Sequence, residues 1–426
     1  MSQSTLEPTQ EGDLTDTPLT EINALDPKVI ACPHAYYKKL RQEAPVHHDP
    51  NTGFYMVSNY ELVMEVIRRP EIFSSKFAQA LEGGQEPSEK VKAILAEGWE
   101  AVDTMLTQDP PEQRRYRKLV DDAFSPRKVK ALQPYCEKLA NELVDNFIDN
   151  GECEFVSEFC VKLPLTVIAD QLGIPRDMMA TFKEWTNAFV IRLSGMATPE
   201  QEEQAARDIV AFQKYFAHKL EEYKQQPTDN IISDIANAGV SDERPLDIKE
   251  SLNILQQVLV AGNETTTSAI AEAMYLLLTN PEQMANLRQN PGLIPNFTEE
   301  ILRLSTPTQN MWRITTQDTE LGGVTIPKNS AVIIRFASAN RDENLFTDPD
   351  AFDVSRANAG KHLAFGKGIH MCLGAQLAKM EITTAFKVLL ARLKQIELND
   401  KTQQPDYPPN VLLRGMTSLP IKFKPA

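Results

Sequence analysis

Cys372 is the residue around which chemistry could be built. Gly366 and Gly368 interrupt regular structure just before it, Gly374 follows two residues later, and a helix-forming run extends from Ala375 to Leu393. A cysteine so placed has a glycine-rich loop on one side and a helix N-terminus on the other. The unpaired amides and the macrodipole of a helix start favour an anionic group. They lower a thiol's pKa and favour the thiolate, the form that ligates metals. Glycines let a loop backbone come close to a flat ligand, because no Cβ stands in the way. From these residues alone a second reading stays open, a small buried thiol that packs and does nothing else.

A second constellation, Ala261-Gly262-Asn263-Glu264-Thr265-Thr266, stands in the middle of Asp247 to Thr279, a run with no internal proline. Asp247 offers an N-cap and Asn280-Pro281 ends the run. Between Glu250 and Glu264 there is no charged side chain, so this helix is expected to cross the interior. Gly262 weakens a helix by about 1 kcal/mol relative to alanine. Glu264 puts a carboxylate into an apolar element, which is costly unless the group is hydrated or paired. Two local rules broken at one spot point to function rather than stability.

The string Phe365-Gly366-x-Gly368-x-His370-x-Cys372-x-Gly374, with Leu377, Ala378 and Glu381 behind it, resembles the proximal heme loop of the cytochrome P-450 family, the heme-thiolate monooxygenases. The resemblance implies that Cys372 is the axial thiolate on the iron of heme b, which favours O–O cleavage. It also implies that Phe365 packs on the ligand side, that His370 reaches a heme propionate, and that Gly366, Gly374, Ala261 and Gly262 are points of close approach. Glu264 and Thr265 match the family's acid–alcohol pair. Thr265 would hydrogen-bond dioxygen at the iron while Glu264 relays protons to it through water. Gly262 would leave room for dioxygen and let the helix open locally.

Other segments carry the resemblance further. Asp109 to Pro126 is similar to the family's early helix, whose arginine reaches a propionate; that role falls on Arg117. Read alone, Arg117 belongs to a solvated helix face. Gln113 stands where many members have histidine and can still donate a hydrogen bond, without cationic assistance. Arg313 matches the second propionate-binding arginine. Glu300 and Arg303, followed by Pro307, match the structural ion pair whose third partner is Arg356, a part of the architecture and not of the chemistry.

The implied fold is mostly α with small β-sheets: a flexible N-terminal tail at residues 1–20, then one domain over 21–426. Heme lies between the long central helix and the cysteine loop. The implied reaction is monooxygenation, with one atom of dioxygen inserted into an organic molecule and the other reduced to water. Val258, Leu259, Ala261, Met311, Trp312 and Leu412 are pocket candidates that read equally well as core. Few charges fall among them, which favours a hydrophobic substrate of the terpenoid, steroid or aliphatic class.

The chain has no flavin or iron–sulfur motif, so electrons are expected from a ferredoxin-type donor with its reductase. Arg114, Arg115, Arg117, Lys118, Lys361 and Lys367 form a basic set that could steer an acidic donor, or could simply balance propionates and nearby acids. Two other classes remain open. A related heme-thiolate enzyme could use peroxide or isomerise its substrate, against which Glu264-Thr265 argues. A non-catalytic heme or apolar-ligand carrier would bind without consuming reductant.

Composition agrees with an enzyme of this kind. The 426 residues are 42% hydrophobic, enough for a large core, and the net charge of −15 argues against nucleic acid as the main partner. Five scattered cysteines without a CxxC pair form neither a disulfide framework nor a zinc site. The polar, acidic N-terminus has no signal-peptide pattern and no run of about eighteen apolar residues occurs. A cytoplasmic protein without a membrane anchor is expected.

The positioning elements are read as helices over 36–43, 60–68, 109–124, 127–150, 164–172, 177–193, 199–225 and 297–304. Val46–His48 and Phe54–Val57 flank a turn, and the adjacent His47 and His48 should point to opposite faces of a strand. The segment 73–105 reads as a loop with a helix inside. Leu321 to Phe336 is expected to form a hairpin turning at Pro327–Asn329, and Val411 to Phe423 a strand pair turning near Gly415. Trp185–Leu193 and Ile209–Phe216 are either a pair capping a pocket or ordinary core.

Overall fold

A computed structural model describes residues 14, 16–77, 87–194, 197–239, 244–402 and 404–426. Runs with helical periodicity dominate it, and the short alternating runs close into small sheets. In the five-stranded sheet, ordered β1-β2-β8-β5-β3, the strands are β1 (Val46–His48), β2 (Tyr55–Val57), β3 (Phe73–Ser74), β5 (Asn310–Thr315) and β8 (Ala331–Arg335). The three-stranded sheet β4-β10-β9 joins Glu152–Glu154, Pro420–Pro425 and Leu393–Leu398, and β6 (Thr319–Leu321) pairs with β7 (Val324–Ile326). No helix among the described residues is long and apolar enough to cross a membrane.

The chain divides into two compact units. The first comprises the chain up to Phe73, Leu132–Leu163 and Glu264–Ala426. The second comprises Ser74–Ala131 and Pro164–Asn263. In the first unit the core under the five-stranded sheet includes Val57, Val63, Val66, Val332, Ile334, Phe336 and Leu363. Helix Tyr60–Arg68 supplies its valines because Asn59 caps it, accepting from the Leu62 amide. Helix Ile294–Ser305 packs on helix Ala375–Arg392 through the Phe297 and Phe386 rings, 4.9 Å apart.

In the second unit, helices Met179–Ser194 and Pro199–Gln225 interlock through Trp185, Phe189, Phe212 and Phe216, each almost wholly buried. Between those rings the helix pair is core. Gln213 reaches out of the same helix to pair with main chain, accepting from the Trp99 amide and donating to the Trp99 carbonyl, both at 2.9 Å. A Cβ at Gly98 would sit 2.1 Å from Gln213 Oε1, so a larger residue there would push the glutamine off this position.

Helix Ile248–Thr279 runs for 32 residues, about 48 Å at the standard rise. Asp247 Oδ1 accepts from the Glu250 amide and Glu250 Oε2 from the Asp247 amide, each at 2.9 Å, a reciprocal cap built on the D-x-x-E spacing.

Several expectations are corrected. Val324–Ile326 does not fold back on Ser330–Phe336; it pairs with Thr319–Leu321 across Gly322-Gly323, whose φ angles of +58° and +79° suit a tight reversal. Ala331–Arg335 instead pairs with β5 and runs parallel to β2. Residues 411–415 form no strand pair with 420–423; they make a single bridge, Leu413 to Thr308, and β10 pairs with β4 and β9. In both places the apolar alternation is present, but the partner is chosen by long-range packing.

Most of the expected N-terminal tail lies outside the described residues. Its last part is packed, because Leu19 is buried with Ile22, Tyr36, Tyr37 and Leu40. Within the segment 73–105, residues 78–86 lie outside the described residues, and the expected helix is Glu89–Leu95. His47 is buried while its neighbour His48 stacks on Tyr55 at 4.6 Å, so the two rings occupy separate environments.

Candidate functional site

Gly366 and Gly368 have φ angles of +61° and +68°, which a side chain would strain. They fold 363–372 into successive tight turns: the Gly366 amide donates to Leu363 O at 2.8 Å, Met371 to Gly368 O at 3.1 Å, and Cys372 back to Phe365 O at 2.9 Å. His370 ends the short 3-10 turn Gly368–His370. The loop delivers Cys372 exposed, while the thiols of Cys136, Cys153 and Cys160 are buried. Gly374 is the N-cap of helix Ala375–Arg392, and a Cβ there would have Cys372 Sγ as its nearest neighbour, at 4.0 Å.

The loop is braced from behind. His362 Nδ1 accepts from the Ala364 amide at 3.1 Å, so its Nε2 carries the hydrogen and donates to Glu299 Oε2 at 3.0 Å. Glu299 Oε1 pairs with Lys379 Nζ at 2.7 Å, and that ammonium lies 5.5 Å from the centre of the Phe365 ring. Burial pushes the Glu299 carboxyl up, but His362 and Lys379 outweigh it and hold it at about 2. Burial also keeps the His362 imidazole below its ordinary value, hence neutral, against the pull of Glu299.

Glu300, Arg303 and Arg356 come together nearby. Arg303 donates to both carboxylate oxygens of Glu300 at 2.7 and 2.8 Å, and Arg356 Nε donates to Oε1 at 3.0 Å. The remaining guanidinium hydrogens go to the carbonyls of Asn340, Thr347, Asp348, Pro349 and Ala351. This buried charge cluster therefore organises 340–356, the stretch leading to the loop. Helix Ala375–Arg392 also buries Leu377 and Glu381.

The second chemical constellation lies on helix Ile248–Thr279. Val258 and Leu259 are both buried, Leu259 completely. Ala261 is exposed in spite of its apolar surroundings, and Gly262 lies against Ile168, whose Cγ1 would be 3.5 Å from an added Cβ. Glu264 and Thr265 are half-buried; the following Thr267 hydroxyl donates to Cys160 O at 3.0 Å. Ser268 Oγ donates to Glu264 O at 2.9 Å, and Gly415 rests on that serine so closely that a Cβ would lie 2.1 Å from its Oγ.

Met311, Trp312 and Arg313 share β5, with Met311 half-buried and the other two buried. Arg313 Nη1 donates to Trp312 O at 2.6 Å. Leu412 is tied to the start of this strand, since its carbonyl accepts from the Gln309 amide at 2.9 Å.

In the second unit, Gln113 is buried and Arg117 Nε pairs with Asp121 at 2.9 Å. Arg115, one of the expected basic set, is committed elsewhere. Its guanidinium pairs with Glu250 at 3.0 Å and donates to the Arg244 and Pro245 carbonyls. Arg244 and the Tyr116 hydroxyl also donate to Glu250, at 2.6 and 2.8 Å. Burial raises the Glu250 carboxyl, and these donors with the Asp247 amide bring it down to about 2. The braces at Glu299 and Glu250 were missed by sequence reasoning. Only the D-x-x-E cap was open to local reading, because every other partner comes from far along the chain.

Within the first unit, the residues present fit a flat, iron-bearing ligand: an exposed thiol at the end of a turn in which Gly366 and Gly368 carry no Cβ. The sequence profile described as cytochrome P-450 matches residues 174–425. The cytochrome P-450 monooxygenase PikC of Streptomyces venezuelae is 32% identical over 422 residues, 98% of this chain and 97% of that protein. Linalool 8-monooxygenase of Pseudomonas putida is 32% identical, with 92% and 96% covered. The solved structure of CYP109Q5 from Chondromyces apiculatus is 34% identical with a TM-score of 0.84, covering 96% of this chain and all of that one. The chain belongs to the cytochrome P-450 family, as an oxidoreductase that binds heme b and hydroxylates a small molecule with dioxygen and electrons from a redox partner.

Proposed function

We propose that Cys372 is the axial thiolate, that Glu264 and Thr265 handle protons, and that the substrate is a hydrophobic molecule of the terpenoid, steroid or aliphatic class. The observation that carries this reading is the exposed Cys372 thiol on a glycine-turned loop ahead of an 18-residue helix. Heme held through a thiolate supplies an electron-rich iron that favours O–O cleavage. The rest is the work of this chain's residues.

Phe365, Gly366 and Gly374 shape the backbone around the thiolate, and His362, Glu299 and Lys379 keep that loop from shifting. Gln113, Arg117, Arg313 and His370 are assigned to the propionates, where hydrogen bonds to carboxylates from charged donors are the stronger ones. Ala261, exposed on the helix, leaves space beside it, whereas Gly262 is packed against Ile168. The Thr265 hydroxyl donates a hydrogen bond to oxygen, and the Glu264 carboxylate passes protons to it through water. Met311, Trp312 and Leu412 of the first unit are apolar pocket candidates in this reading, as is Val258 of the second. A relative named for linalool supports a substrate of terpenoid size. Electrons come from a ferredoxin-type donor with its reductase.

The test is the ferrous carbonyl spectrum of the heme-loaded protein. A red-shifted band of the thiolate type is expected, lost in Cys372→Ser while circular dichroism stays the same. A wild-type protein that takes up heme without that band would overturn the assignment.

A further inference from the structure

We propose that Thr104, Asn253 and Gln257 form a polar anchor for a hydroxyl group of the substrate. This rests on the hydrophobic-substrate reading above and narrows it to apolar molecules that carry an alcohol. Around Asn253 and Gln257 the long helix buries Leu252, Ile254, Leu255, Val258 and Leu259. Asn253 and Gln257 stand one turn apart on a single face, both half-buried, and the next turn of that face brings the exposed Ala261. Thr104 comes from a distant segment of the same unit to meet them and is fully buried.

The hydrogen bonds are short and fully directed. Thr104 Oγ1 donates to Asn253 Oδ1 at 2.6 Å. Gln257 Nε2 donates to Thr104 Oγ1 at 2.8 Å and to Asn253 Oδ1 at 2.7 Å. This uses the donors of one amide and the acceptor of the other. Gln257 Oε1 is left buried without a hydrogen-bond partner, and the Asn253 NH2 donates to none of the described residues. Buried polar atoms are almost always satisfied, so an orphaned acceptor on an apolar helix calls for a donor from elsewhere.

The chemistry selects that donor. A hydroxyl gives its hydrogen to Gln257 Oε1 and takes one from Asn253 Nδ2. If both amides are turned end for end, the trio again presents one donor and one acceptor, so a hydroxyl fits either orientation. A carboxylate has no hydrogen to give, an ammonium cannot accept, and a ketone satisfies the asparagine alone. A site built to bond a substrate hydroxyl rejects the analogue lacking it, because its own polar groups are then stranded.

The experiment uses the full-length, heme-loaded enzyme and two matched pairs of probes, decanol with decane and adamantanol with adamantane. Dissociation constants are read from the spin-state change in the heme absorption spectrum. The alcohol of each pair is expected to bind about tenfold more tightly than its hydrocarbon. In the double variant Asn253→Leu, Gln257→Leu, and separately in the isosteric Thr104→Val, that ratio should fall toward unity. Wild-type enzyme that binds alcohol and hydrocarbon equally would overturn the anchor alone, as would a preference that survives in both variants. If no probe perturbs the spectrum of an enzyme with an intact carbonyl band, the anchor and the hydrophobic-substrate reading both fall.

Discussion

Glu381 is a carboxylic acid buried in the helix that follows the cysteine loop, and burial raises its pKa to about 8 from an ordinary 4.5. The folded chain therefore keeps a proton that the unfolded chain has lost between those two values. Stability from this group is full below 4.5 and drains away as pH rises through 8. Glu381→Gln keeps the shape and removes the titration. The variant should flatten the fall in stability between pH 4.5 and 8 and gain on the order of a few kcal/mol at the upper end. Denaturant midpoints across that range check it, and an unchanged slope would contradict it.

Thr265→Ala should release reduced oxygen as hydrogen peroxide instead of forming product. Peroxide per reductant consumed is the measurement, and full coupling in the variant would remove Thr265 from the proton path. Cys372 and Glu264-Thr265 stand out in the sequence as candidates because their signal is local, an unusual residue at a set distance from glycines or within an apolar run. The Lys379–Glu299–His362 brace does not. Glu299 and His362 are 63 residues apart, and nothing in either neighbourhood specifies the other.

At the scale of elements, Glu250 holds the start of the long helix to helix Glu112–Val120 through Arg115 and Tyr116. Its side chain is 5% exposed, so Glu250→Ala leaves a guanidinium and a hydroxyl facing each other without their acceptor. A loss of roughly 3–5 kcal/mol is expected. Arg244→Ala should cost much less, because that arginine is 59% exposed. Chemical denaturation of both variants checks the difference; equal losses would show that the pairing does not hold the helix. With its carboxyl held at about 2, this contribution is complete above the ordinary 4.5 and is lost only as pH falls through 2.

The helices were mostly readable, since caps and prolines mark their ends and apolar periodicity marks their buried faces. The strands were readable as strands but not as pairs. Ala331–Arg335 has the composition of a hairpin arm, yet its neighbours are Asn310–Thr315 and Tyr55–Val57, the latter nearly 280 residues earlier.

Over the whole molecule, the net charge of −15 makes clustered cations on the surface electrostatically conspicuous. Arg114, Lys118 and Lys361 are exposed and Lys367 half-exposed, whereas Arg115 is committed to Glu250. If an acidic electron donor docks near the cysteine loop, Lys361→Glu and Lys367→Glu should slow heme reduction several-fold at low ionic strength, and the deficit should shrink as salt is added. Stopped-flow reduction checks this, and equal rates at low salt would exclude these lysines. Arg115→Glu should show itself as lost stability instead. Which charges are available to a partner could not be read from the sequence, where Arg114 and Arg115 look alike.

The contact between Gly415 and Ser268 has a practical consequence for anyone reshaping what this enzyme accepts. Within the segment from Val411 to Met416, residue 415 has no room for even one methyl group beside the serine. A mutant library that randomises it would fill with clones displaced at Ser268, while one that holds it constant and varies Leu412, a proposed pocket residue, would keep that contact.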